Sequence, residues 1–228
     1  MNTRQIGMLI FPQMTQLDMT GPYEVLARLP NSQVHIVART LEPVTTDRGL
    51  KIMPTATYET CPPLDVIMVP GGPGQQGLME DEAALTFLRR QAAGAKYITS
   101  VCTGSLVLGA AGLLKGKRAT SHWNALEHLK LLGAIPVSEK VVVDGNVVTG
   151  AGVTSGIDFA LQLAAILEGE QIARDIQLQI EYDPAPPFDS GSPKKAAPET
   201  VAALKARSAR LSEERRTVAA RAGKKLGL

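Results

Sequence analysis

The chain has 228 residues, 44% of them hydrophobic and 20% charged, a composition that excludes disorder over most of the length and suits one principal core with an appendage. Its longest apolar stretch, Leu106 to Leu114, contains Gly109 and Gly112 and falls far short of the roughly 20 residues needed to cross a bilayer; no secretory leader is readable after Met1, so a cytoplasmic protein is expected. The net charge of +2 divides unevenly, with 14 Lys/Arg against 19 Asp/Glu in residues 1–193 and 10 against 3 in residues 194–228; the acidic pair Glu213-Glu214 and the repeated Ala and Leu fit a solvated helix better than a nucleic-acid or membrane anchor.

The first 100 residues alternate β-rich runs with helical patterns, which predicts an α/β fold, a doubly wound, mostly parallel sheet with helices on both faces. Ile6 to Phe11 reads as the first strand. A helix starts at Thr20-Gly21-Pro22, where the missing N–H of proline costs little, and runs to Leu29, leaving Asp18 in the connecting turn. Val34 to Ala38 forms the second strand, Thr45 to Met53 a small hairpin, and Val66 to Val69 a buried strand that stops at Pro70-Gly71-Gly72-Pro73-Gly74. Asp81 caps the next helix, which ends near Ala95. Tyr97 to Val101 is β-branched, and Cys102-Thr103-Gly104-Ser105 turns from it directly into the helical pattern Leu106 to Leu114.

Further elements are a strand at Ala119-Thr120, a helix from Trp123 to Leu132, and a hairpin joining Val141–Val143 to Val147–Thr149. Gly150-Ala151-Gly152 leads into Thr154-Ser155, whose hydroxyls can cap the helix Ile157 to Leu167. After a helix Gln171 to Ile180, the proline-rich run from Asp183 cannot be helix or central strand. The expected organisation is an α/β domain over residues 1–182, a wrapping segment over 183–198 and one basic helix over 199–228.

Ligands of open parallel sheets bind beyond the carboxyl ends of the strands, and three loops converge there. One offers Asp18, one the amides of Gly71 and Gly72, one Cys102. A thiol at a helix N-terminus meets the positive end of the dipole and free N–H groups, which favour thiolate. The corner has the form of a nucleophile elbow, with Gly104 permitting close approach. Cys102 is therefore a candidate nucleophile, against the alternative of a small buried hydrophobe. Cys61, ahead of Pro62-Pro63, reads as structural.

Among the histidines, His35 and His128 read as structural and His122 is the stronger candidate. Asp18 can hold a proton near Cys102 if burial raises its pKa, or can simply cap the first helix. The glycine loop at Gly71-Gly72 lacks the pattern of a phosphate-binding loop and reads as an oxyanion-type amide pair. No ligand set with metal spacing occurs, so neither metal nor diffusible cofactor is expected.

Pro70-Gly71-Gly72, Ser100-Val101-Cys102-Thr103-Gly104 and the acidic residue before Gly21-Pro22 resemble the ThiJ/PfpI superfamily with its glutamine-amidotransferase-like fold. Leu17 to Pro22, Arg118 to Trp123 and Gly152 to Asp158 are similar to two of its subgroups, the isocyanide hydratases and the amidase-like halves of AraC-type transcription regulators. The short tail and the Ala185-Pro186-Pro187-Phe188 segment favour the first. Thr103 stands where protease-like members carry His, which argues against a peptidase. The resemblance implies a homodimer acting on a small isocyanide, with no nucleic-acid or membrane partner. It implies Cys102 as nucleophile, Asp18 as proton carrier, Thr103 in support, and Gly71, Gly72, Gly152 and Val153 around the substrate. An oxidation-sensing or chaperone-like role is the non-enzymatic alternative.

Overall fold

The computed structural model describes residues 3–228. Strand β1 (Arg4–Leu9) enters the core and is followed by helix α1 (Gln16–Leu26), strand β2 (Ser32–Ala38), the short strands β3 (Val44–Thr45), β4 (Lys51–Ile52) and β5 (Ala56–Thr57), and strand β6 (Val66–Val69). Helices α2 (Gln75–Leu78) and α3 (Glu82–Ala92) lead to strand β7 (Tyr97–Val101) and helix α4 (Gly104–Ala110). Then come β8 (Arg118–Ala119), a 3-10 helix (Leu126–Leu132), β9 (Ile135–Pro136), β10 (Val141–Asp144) and β11 (Val147–Gly150). Helices α5 (Ser155–Glu168), α6 (Glu170–Gln179), α7 (Pro198–Arg207) and α8 (Ala209–Lys225) complete the chain.

The main sheet has the order β10-β11-β7-β6-β1-β2-β5, and every pairing in it is parallel except the β10-β11 hairpin. β6 is buried at all four positions and β7 at four of five, as expected of central strands covered on both faces. That arrangement brings the ends of β1, β6, β7 and β11 to one edge, where Asp18 of α1 meets the loops holding Gly71, Cys102 and Gly152.

Several elements depart from the reading of the sequence. Helix α1 begins at Gln16, so Asp18 lies in its first turn and not in a connecting turn, and Pro22 is inside the helix. Pro22 removes the N–H that would bond the Asp18 carbonyl, and its ring packs where Gly156 of α5 leaves room: a Cβ there would stand 3.1 Å from Pro22 Cδ. The strand at Ala119 is Arg118–Ala119, paired with β9 in a separate two-stranded sheet. The segment before Gly133 is a 3-10 helix of seven residues, shorter than the predicted helix, and it stops where Gly133 takes φ 76°. No side-chain hydroxyl caps α5; the Ser155 amide instead donates to Gly152 O at 2.8 Å.

The tail differs most. Ser208 separates two helices where one was expected, and α8 is docked rather than solvated, burying Arg215, Val218, Ala219, Ala222 and Gly223. The spacing of these residues is that of one helix face. By contrast Asp81 caps α3 as predicted, accepting from the Ala83 and Ala84 amides, and residues 183–197 form neither helix nor strand.

Candidate active site

Cys102 lies between β7 and α4 and is only 5% exposed. Its backbone takes φ 58°, a left-handed conformation that a residue with a Cβ adopts at a cost of about 1–3 kcal/mol, which persists only where surrounding contacts enforce it. Those contacts are visible. The Cys102 amide donates to Gly150 O at 3.0 Å, and its carbonyl accepts from Ser121 Oγ at 3.0 Å and Ser105 Oγ at 3.2 Å. Gly104 permits the corner, because a Cβ there would lie 2.0 Å from Val69 O.

Asp18 is fully buried. Its Oδ2 accepts from the Gly71 amide at 2.9 Å, while Oδ1 has no hydrogen-bond partner; the Cys102 thiol is the titratable group that acts on this carboxyl. Burial is the largest influence and pushes the Asp18 pKa up to about 7, against the opposing influence of Cys102 and the Gly71 hydrogen bond. The Cys102 thiol is likewise pushed well above its ordinary value, first by burial and then by the Asp18 charge, with the Thr103 amide and Arg215 acting in the opposite direction. Two groups that each resist ionisation, placed together, behave as one titrating pair that holds a single proton between them over a wide pH range.

Gly71 and Gly72 do not form the free amide pair that the sequence suggested. The first amide is committed to Asp18, and the second donates to Thr103 Oγ1 at 3.0 Å. They hold the reactive side chains in place. The fit at Gly71 is tight, since a Cβ would lie 2.5 Å from the Thr103 nitrogen and 3.0 Å from Asp18 Oδ2. Thr103 therefore sits at the start of α4 with its hydroxyl oxygen engaged and its amide directed to the sulfur.

Gly152 and Val153 lie in the loop after β11, the strand next to β7, and so border the cysteine corner. A Cβ on Gly152 would be 3.9 Å from His122 Cδ2. His122 accepts from the Asn124 amide through Nδ1 at 3.3 Å, and burial together with Arg215 lowers its pKa to about 4. It is a neutral side chain at the border of the site. His35 contacts Gln5 Oε1 at 2.6 Å and His128 contacts Ser212 Oγ at 3.2 Å, so both are held by structural partners. Among the described residues no cluster of His, Cys, Asp and Glu could hold a metal ion.

Two surface depressions, of about 500 and 640 Å³, are lined by residues such as Tyr58, Phe87 and Arg90 and by Arg4, Asp65 and Lys96. Neither touches Cys102, and the second lies at the opposite edge of the sheet, where β1, β6 and β7 begin. Cys102 and Asp18 lie instead at the carboxyl edge of the sheet, away from both depressions.

Sequence reasoning missed Ser121 and Arg215. The first lies inside the Arg118-to-Trp123 motif, in which the serine was assigned no role; the second could have been found from the small and apolar spacing of Val218, Ala219 and Ala222, which marks a helix face that must pack on something.

Residues 4–166 match the DJ-1/PfpI family. The chain belongs to this family. It is 59% identical over 224 residues to an isonitrile hydratase of Pseudomonas putida, covering 98% of each protein. It also superposes on the crystal structure of a ThiJ/PfpI family protein from Pseudomonas syringae with a TM-score of 0.94 and 47% identity, covering 96% of this chain and 91% of that one. The transcriptional regulator GbdR of Pseudomonas aeruginosa is 29% identical over 191 residues, which span 80% of this chain but 52% of the regulator. The mostly parallel α/β architecture is that of the family. No helix among the described residues is long and apolar enough to cross a membrane.

Proposed function

We propose that this protein hydrates isocyanides to N-substituted formamides, with Cys102 as the nucleophile. The observation that carries the reading is the pair formed by the Cys102 thiol and the fully buried Asp18 carboxyl, whose pKa of about 7 lets it take and return a proton near neutrality. Near-full-length similarity to an isonitrile hydratase supports the substrate class. The left-handed backbone of the cysteine between strand and helix supports reading the corner as a nucleophile elbow.

In the proposed sequence the thiol proton passes to Asp18 and the sulfur attacks the terminal carbon of the isocyanide, forming the C–S bond. That carbon receives the proton from Asp18, giving a thioimidate. Water then adds to the same carbon, the C–S bond breaks, the thiol is restored, and the formamide leaves. The net change is addition of one water, so neither oxidant nor cofactor is required. With the Gly71 and Gly72 amides engaged elsewhere, the loop at Gly152-Val153 is the part of the site left to face the reacting nitrogen. Thr103 steadies the sulfur through its amide.

The near-complete burial of Cys102 and its raised pKa argue against a peroxide sensor, which needs an accessible, acidic thiol. The proposal includes a cytoplasmic homodimer. Following formamide production from para-nitrophenyl isocyanide tests it: the protein is expected to turn over this substrate and Cys102→Ala to show none. Turnover that survives in the variant overturns the covalent route, and absence of turnover with both aryl and alkyl isocyanides overturns the substrate class.

A further inference from the structure

Arg215 lies on the buried face of α8, 7% exposed, and its Nε has no hydrogen-bond partner. No carboxylate stands within ion-pair distance of it among the described residues, although α8 carries pairs at Arg210–Glu214, Arg216–Glu213 and Arg221–Glu80. A buried cation without a counter-ion is costly and calls for an anion nearby.

The way α8 is seated indicates which part of the molecule would supply that anion. One turn before Arg215, the Leu211 carbonyl accepts from Gln76 Nε2 on α2 at 3.2 Å. On the same face Ser208 and Ser212 bond Asn124 and His128, at 2.7 and 3.2 Å, in the segment after Ser121. Further along, Gly223 abuts the Leu131 carbonyl so closely that a Cβ would lie 2.0 Å from it. Arg215 is thus set between the segment following Gly71-Gly72 and the segment following Ser121. Those two segments also bracket Cys102, since Gly71 and Gly72 bond Asp18 and Thr103 while Ser121 bonds the cysteine carbonyl.

We propose that Arg215 is a positioning residue, the counter-cation of the Cys102–Asp18 pair, through which the C-terminal helix sets how much thiolate the site holds. With one proton shared, the pair carries one negative charge, and Arg215 makes the buried group neutral overall. The charged groups acting on the pair are Asp18 from α1, Asp47 behind it, and Arg215 from α8. His122 and His128 also face this region: burial first, and then Arg215, lowers the pKa of both, with Arg216 adding to the effect on His128 and Glu213 and Glu127 opposing it.

This inference rests on Cys102 as the reactive thiol, and it is tested without reference to isocyanides. The rate of Cys102 alkylation by iodoacetamide, located by peptide mapping, is measured against pH in the wild type, Arg215→Met and Arg215→Lys, alongside their melting temperatures. Arg215→Met is expected to move the alkylation midpoint up by about one pH unit, about tenfold less thiolate at a fixed pH below it, with the melting temperature showing that the variant folds. Arg215→Lys should recover most of that shift. An unchanged midpoint in Arg215→Met overturns the proposal, and a lowered melting temperature with an unchanged midpoint makes Arg215 a packing residue. A shift as large in Arg215→Lys as in Arg215→Met also overturns it, since charge would then not be the cause.

Discussion

The molecule contains two buried, free cysteines, and they make different chemical objects. Both thiols are pushed above their ordinary pKa with burial as the largest cause, Cys61 to about 11. Cys61 lies in a loop before two prolines, contacts the Pro62 carbonyl at 3.5 Å, and has only Arg90 acting against its burial. Cys102 sits at φ 58° at the start of a helix, with a protonatable carboxyl against the sulfur, an amide directed to it and a cation behind it. Burial and pKa alone would rank the two alike. What separates them is a partner able to take the thiol proton and return it to a substrate.

Removing that partner is the strongest way to test the contrast. Asp18→Asn keeps an oxygen for the Gly71 amide but can no longer carry a proton, and kcat is expected to fall by about 10²–10⁴-fold. Stability should move the other way. The native pKa of Asp18 lies near 7 and its ordinary value at 3.8, so between those values the folded chain binds a proton that the unfolded chain releases, and stability declines as pH rises through that window. Asp18→Asn removes the decline and should melt higher than wild type at pH 8. A variant that is both active and no more stable would return Asp18 to the role of a helix residue and leave Cys102 no better equipped than Cys61.

The proximity of Cys102 and Asp18 was legible in the sequence because each lies in the connection that follows a short, bounded strand pattern, and such connections converge at one edge of a parallel sheet. The buried β6 was readable as a short apolar run bounded by prolines and glycines, whereas the order of the strands was not read from the sequence. The roles of Gly71 and Gly72 were not, since their amides could face a substrate or a neighbouring side chain, and only the three-dimensional positions of Asp18 and Thr103 decide between them. Pro22 misled the boundary of α1: local preference places proline at a helix start, yet the contact with Gly156 holds it inside. The tail was misread because its charge dominates its composition while its small residues, Ala219, Ala222 and Gly223, do the packing.

A smaller effect sharpens the same contrast through pH. If the reactive form of the pair holds one proton, kcat/KM should fall as pH drops below about 7, where the second proton binds to Asp18, and by about tenfold for each further unit. The alkaline limb should lie well above the ordinary cysteine value, because burial and the Asp18 charge resist loss of the last proton. A profile flat from pH 5 to 8 would mean that Asp18 does not titrate in the free enzyme. The thiolate would then owe its existence to the Thr103 amide and Arg215 alone.

The smallest effect belongs to Cys61. Its side chain belongs to the buried core cluster, and its sulfur contacts the Pro62 carbonyl. Cys61→Ala should leave kcat/KM within about twofold of wild type and lower stability by about 1 kcal/mol, the typical cost of a modest truncation in a packed interior. Alkylation in the native state should give one adduct in both proteins, on Cys102, because Cys61 has neither a proton acceptor nor a left-handed backbone to present its sulfur. A large loss of activity in Cys61→Ala with native stability would show the two thiols to be coupled, and the distinction between a nucleophile and a core residue would then rest on something other than the carboxyl beside Cys102.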